Sequence, residues 1–109
     1  MSIAVPLADI PAAIAAQIGR CYLLTVSEDG QARVLAVTPA AQDDGSLRCT
    51  AGRSTLANVA ARPAVTLLFP PAEADAMSLI IDGEATVTDD GIHILPTWAV
   101  MHRSAVPTA

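Results

Sequence analysis

Residues 50–55, Thr50-Ala51-Gly52-Arg53-Ser54-Thr55, place one guanidinium and three hydroxyls where a strand-like run gives way to a helix-like one. Those parts are what a phosphate monoester needs: charge-assisted hydrogen bonds, hydroxyl donors and the free N–H groups of a helix N-terminus. Arg33 adds a second cation on a strand face shared with Leu35 and Val37. An arginine on such a face is costly unless it meets an anion or reaches the rim of the sheet. An ordinary helix cap and a rim arginine use the same residues, and the residues alone leave both readings open.

Other chemistry is not written in the chain. It has no Gly-x-Gly-x-x-Gly, no P-loop, no His-Glu-x-x-His and no Cys-x-x-Cys. His93 and His102 lack the carboxylate pattern that specifies a metal, so no metal site is expected. Cys21 falls in a strand and reads as a small buried hydrophobe. Cys49 adjoins the anion candidate with nothing beside it to activate a thiolate. No catalytic residue stands out.

The elements that must position these groups follow from periodicity. Residues 9–18 read as a helix, with Asp9 as N-cap, Pro11 in the first turn, Leu7, Ile10, Ile14 and Ile18 on one face, and Gly19 closing the end. The period then switches to two. Cys21 to Val26 and Gln31 to Thr38 flank an Asp29-Gly30 turn, and Gln42-Asp43-Asp44-Gly45 leads into a third strand from Ser46 to Ala51, which together suggest a meander. Ser54 is expected to cap a short helix ending before Pro63. Ala64–Phe69, Met77–Thr88 and Ile92–Leu95 complete six strands, and a tail containing Trp98 starts at Pro96. The expected fold is mainly β: a six-stranded antiparallel split β-barrel with two short helices, in a single domain over residues 1–109.

Composition sets the outer limits. Of 109 residues 52% are hydrophobic and 16% charged, which excludes a disordered chain. No apolar run is long enough for a membrane helix, and no positive charge precedes the apolar N-terminal residues as in a secretory signal. Two cysteines make no disulfide framework, so a cytoplasmic protein is expected. The net charge is −5 with six arginines and no lysine, a poor match to nucleic acid. Yet Arg33, Arg48, Arg53 and Arg62 cluster between residues 33 and 62, where the only acids are Asp43 and Asp44. A locally basic middle in an acidic chain suits a small anion, although solvated surface arginines give the same composition.

Three stretches, in order and spacing, carry a resemblance. Cys21 to Val37 looks like the opening strands of the pyridoxamine-phosphate-oxidase-like FMN-binding split barrels. Asn58 to Phe69 is similar to their short helix and following strand, and Ile80 to Val87 to their long strand. The resemblance implies a homodimer with FMN in a cleft between subunits. Arg33 would lie near the phosphate, the backbone of Val34 and Leu35 near the ring, Thr50 to Thr55 around phosphate and ribityl, and Trp98 would approach from the partner subunit. The chain departs from the family at Ser54 and Thr55, where tight FMN binders carry Arg-Lys or at least Lys, and Arg53 stands one position early. It also lacks the basic C-terminal segment by which the true oxidases recognise pyridoxamine phosphate, so that activity is not expected. The resemblance points to a flavin-dependent oxidoreductase or flavin reductase. The alternatives are a non-catalytic protein holding haem, a deazaflavin or another planar ligand, and a cofactor-free dimeric module.

Overall fold

Strict alternation sets the centre of the molecule. In β2 (Cys21–Val26) the residues Cys21, Leu23 and Thr25 are buried while their neighbours are not, as a strand with one face on a core requires. A computed structural model describes residues 2–17, 19–103 and 105. Its elements are β1 (Ser2–Ala4), a 3₁₀ turn (Leu7–Asp9), α1 (Ile10–Ala16), β2, β3 (Ala32–Val37), β4 (Ala40–Ala41), β5 (Leu47–Cys49), α2 (Arg53–Ala61), β6 (Ala64–Phe69), β7 (Met77–Thr88) and β8 (Gly91–Arg103). The strands form one antiparallel sheet in the order β3-β2-β6-β7-β8-β5-β4, with β1 also on β8. It curls into a half-open barrel, so the mainly β split-barrel class and its two helices hold.

The register shows how the core is built. Leu23, Leu67, Ile81 and Ala99 stand side by side on β2, β6, β7 and β8, and none is more than 2% exposed. Leu35, next in that row on β3, is 37% exposed. The inner face therefore runs from sealed core to open cleft within one strand spacing. Helix α2 closes the core with Val59, and α1 does so with Ile10. The Gln17 side chain ties the end of α1 to the carbonyls of Phe69 and Met77 at 3.4 and 3.3 Å.

Several expectations need correction. Among the described residues there are eight strands rather than six. The tail from Pro96 is strand: β8 continues to Arg103 along β7. Proline is tolerated there because Pro96 lies opposite Gly83 at a β-bulge, where Thr97 is the unpaired extra residue. Gly83 is required at that crossing, since a Cβ on it would lie 2.8 Å from both Ile94 Cγ2 and the Leu95 carbonyl oxygen. The meander also fails: β5 pairs with β4 and β8 and not with β3, because the chain turns away after Val37 and the Gln42–Gly45 turn joins β4 to β5. Helix α1 ends at Ala16, and Ile18 lies outside the described residues. Asp9 is the N-cap but makes no side-chain cap bond. Ser54 is not a cap at all: extended Gly52 takes that position, its carbonyl accepting from the Leu56 N–H at 3.0 Å.

Candidate functional site

The outer edge of β3 and the first half of α2 face each other across a cleft of about 340 Å³. Arg33, Val34 and Leu35 form the strand wall, and Ser54, Thr55 and Asn58 the helix wall. Thr25 and Ser27 close the base. Each wall follows from local sequence. Thr25 and Arg33 are cross-strand partners on the inner face, so the arginine stands over a buried hydroxyl. Ser54 and Asn58 are four apart and share one side of the helix. Asn58 Nδ2 donates to Thr25 Oγ1 at 3.2 Å and fixes helix against strand.

The cleft offers donors for an anion and apolar edges for a ring. The first N–H groups of α2 have no acceptor within the helix, and no side chain caps that end. Ser54 and Thr55, in the first turn of α2 at the positive end of the helix, line the same cleft as Arg33. Among the described residues that line the cleft, Arg33 alone has an ionisable side chain. Its guanidinium lies 3.6 Å from Asp29, with both side chains more than half exposed, so the pair holds it loosely. Asp29 is held below the ordinary carboxylate range first by the Ser27 hydroxyl and then by the Gln31 N–H, with the charge of Arg33 a smaller cause. On the strand side, β3 pairs among the described residues only with β2, so the N–H and C=O groups along its other edge have no strand partner among them.

Of the residues singled out by sequence, Arg33, Val34, Leu35, Ser54 and Thr55 meet in this cleft. Thr50 does not. It lines a depression with Thr38, Arg48 and Asp90, and another with Arg20 and Cys21, away from the helix wall. Arg53 is exposed at the first position of α2 and is not among the lining residues. Trp98 is 49% exposed on the opposite, outer face of the sheet, in the row of Asp82, Thr66 and Leu24. Thr25, Ser27 and Asn58 were not picked out by sequence. Their signals were present, in the phase of Thr25 with Cys21 and Leu23 and the four-residue step from Ser54 to Asn58.

The second cationic spot differs. Arg48 Nη2 lies 2.6 Å from Asp90, and His93 is its cross-strand neighbour. Asp90 is held below its ordinary range first by the Thr88 hydroxyl and then by Arg48. Both cysteines are buried. Burial pushes Cys49 up to about 11, and burial together with Cys49 pushes Cys21 up to about 12, so both are thiols at neutral pH. Among the described residues no group of three or more His, Cys, Asp or Glu stands together, and no helix is long and apolar enough to cross a membrane.

No family model matches the chain. Two curated relatives do, the uncharacterized proteins Mb0449c of Mycobacterium bovis and MT0457 of Mycobacterium tuberculosis. Each is 33% identical over 102 residues, covering 79% of this chain and 72% of the relative. The chain belongs to the family of these mycobacterial proteins. Among solved structures, the conserved hypothetical protein Rv2991 of Mycobacterium tuberculosis superposes with a TM-score of 0.63 at 21% identity. That match covers 79% of this chain and 55% of Rv2991, so the chain spans little more than half of that protein's length. The likeness to Rv2991 is one of fold.

Proposed function

We propose that this member of the mycobacterial family binds FMN in the cleft between β3 and α2 and serves as a flavin-dependent oxidoreductase or flavin reductase acting on a small molecule. The observation that carries the reading is the meeting of Arg33 with the uncapped N-terminus of α2 and its Ser54 and Thr55 hydroxyls in one cleft. This donor set suits a phosphate monoester. A volume of about 340 Å³ falls within the roughly 300–1,000 Å³ usual for small-molecule sites. The exposed edge of Val34 and Leu35 suits a planar ring, with unpaired backbone groups of β3 beside it.

Bound flavin supplies reversible electron and hydride transfer, which the protein's own side chains cannot. The chain's residues would anchor and orient. Arg33, Ser54 and Thr55 would hold the phosphate, and Val34 and Leu35 of β3 would hold the ring. Among the described residues no His, Asp, Glu, Cys, Tyr or Lys lines the cleft, and no side chain is assigned a proton-transfer step. The same observation favours the second reading, a non-catalytic carrier of a planar ligand such as haem or a deazaflavin. Free thiols at Cys21 and Cys49 suit a cytoplasmic protein.

Fluorescence titration of the purified protein with FMN, a deazaflavin and haem separates these readings. Saturable FMN binding with a visible band near 450 nm, typical of flavins, supports the first reading. Binding of haem or a deazaflavin in preference to FMN moves the protein to the second, and binding of none of the three refutes both.

A further inference from the structure

Thr25 and Asn58 stand at the base of the cleft with more hydrogen-bond donors than the chain uses. Thr25 is 3% exposed and in phase with Cys21 and Leu23, which face the core. It lines the cleft all the same, beside its cross-strand partner Arg33. Half-buried Asn58 belongs to the helix wall and donates to Thr25 Oγ1 at 3.2 Å. An amide and a hydroxyl carry three donor hydrogens between them, and the bond that joins them uses one. Among the described residues neither side chain has another hydrogen-bond partner, so two donors remain. A tie between helix and strand needs neither of them. A donor that water scarcely reaches is costly to leave unmatched, and the cleft is the side from which an acceptor can approach.

Position decides which part of a ligand meets them. Asn58 lies four residues after Ser54, about 6 Å further along the helix axis. With a phosphate on Arg33, Ser54 and Thr55, the pair is therefore level with the chain that bears the phosphate. We infer that Thr25 and Asn58 bind the hydroxyl oxygens of that chain, so that the cleft selects a phosphate borne on a polyhydroxylated chain over the same phosphate on a hydrocarbon one. In FMN this chain is the ribityl. A chain hydroxyl suits the pair because it accepts one of the spare donors and gives its own hydrogen to the Asn58 carbonyl oxygen. A hydrocarbon chain in the same place would cover those groups with carbon and match none of them. Sites built around a ligand hydroxyl discriminate strongly against the analogue that lacks it, for this reason. The inference rests on the phosphate reading above and adds to it two residues that read the linker between phosphate and ring.

The test compares FMN with a flavin phosphate whose five-carbon chain carries no hydroxyls, by titration of the unaltered protein, Thr25→Val and Thr25→Ser. The unaltered protein should bind FMN at least about tenfold more tightly than the hydroxyl-free analogue. Thr25→Val keeps the shape of the side chain and removes its hydroxyl. It should narrow that gap severalfold by weakening FMN and leaving the analogue as it was, and Thr25→Ser should keep the gap. Equal binding of the two flavins by the unaltered protein overturns the inference and leaves the phosphate reading standing. Equal weakening of both by Thr25→Val also overturns it, because the pair then only ties α2 to β2. Binding of neither flavin removes the phosphate reading and the inference with it. Should Thr25→Val fold poorly, displacement of FMN from the unaltered protein by ribitol 5-phosphate and by pentyl phosphate makes the same comparison. Ribitol 5-phosphate should displace FMN at a severalfold lower concentration, and equal displacement by the two overturns the inference.

Discussion

Arg33 and Arg48 are each paired with an aspartate on the surface of the same sheet, yet only one pairing leaves the arginine available. Arg48 is spent on Asp90 at 2.6 Å and has acidic and imidazole neighbours but no helix end. Arg33 meets Asp29 at 3.6 Å and stands opposite the uncapped N-terminus of α2 with two hydroxyls. An anion is recruited by donors that are not already satisfied, and a count of nearby positive charge does not measure that. Thr50, placed by its sequence neighbours with the Arg33 cleft, lines the Arg48 side instead.

The contrast predicts unequal responses to mutation. The largest is at Arg33: Arg33→Ala should weaken FMN ten- to hundredfold, the worth of about 1.5–3 kcal/mol for a charge-assisted contact. Arg48→Ala should leave FMN affinity unchanged in the same titration. Equal losses would end the distinction between the two sites. Next comes Thr55→Lys, which adds a cation where the helix wall has only a hydroxyl. It costs about 0.3–1 kcal/mol against the helix dipole and gains about 1.5–3 with phosphate bound, so FMN should tighten several-fold at low salt. The gain should shrink at high salt, and calorimetry at two ionic strengths reads both. Asp29→Asn should tighten FMN slightly by releasing Arg33, whereas Asp90→Asn should not.

The smallest difference is in acid. Asp29 and Asp90 are both held below the ordinary value of 3.8, by the hydroxyls of Ser27 and Thr88 first. A carboxylate depressed on folding stabilises the protein above its unfolded value and loses that contribution as pH falls through its folded value. Both aspartates should therefore contribute fully above about pH 4 and fade below it. Thermal melts of Asp29→Asn and Asp90→Asn should each show a shallower loss of stability below that pH than the parent. A steeper loss in either variant contradicts the assigned hydrogen bonds.

How much of this was legible in the sequence depended on whether a signal was local. Period two gave β2, β6 and β7, because each has one face in a dry core and one outside it. The Asp-Gly turns marked two hairpins, but the second joins the two-residue β4 to β5, a strand too short for its pattern to stand out. Pro96 read as a stop because the bulge that accommodates it is set by Gly83, thirteen positions away. At the cleft, Arg33 and the 53–55 segment were visible as chemistry. Which way Thr50 and Trp98 face was not: Thr50 follows the buried end of β5, and the direction of Trp98 depends on the same bulge.

The central claim is that the cleft recognises a phosphate, and the unaltered protein tests it most directly. FMN and riboflavin share a ring and a ribityl chain and differ by that phosphate, so their calorimetric titration at low and high salt isolates the group that Arg33, Ser54 and Thr55 are said to hold. FMN should bind at least about tenfold more tightly at low salt, with the gap narrowing as salt rises. Equal affinities at low salt would contradict the account, because the donors gathered at the α2 N-terminus would then be making no contact with the anion.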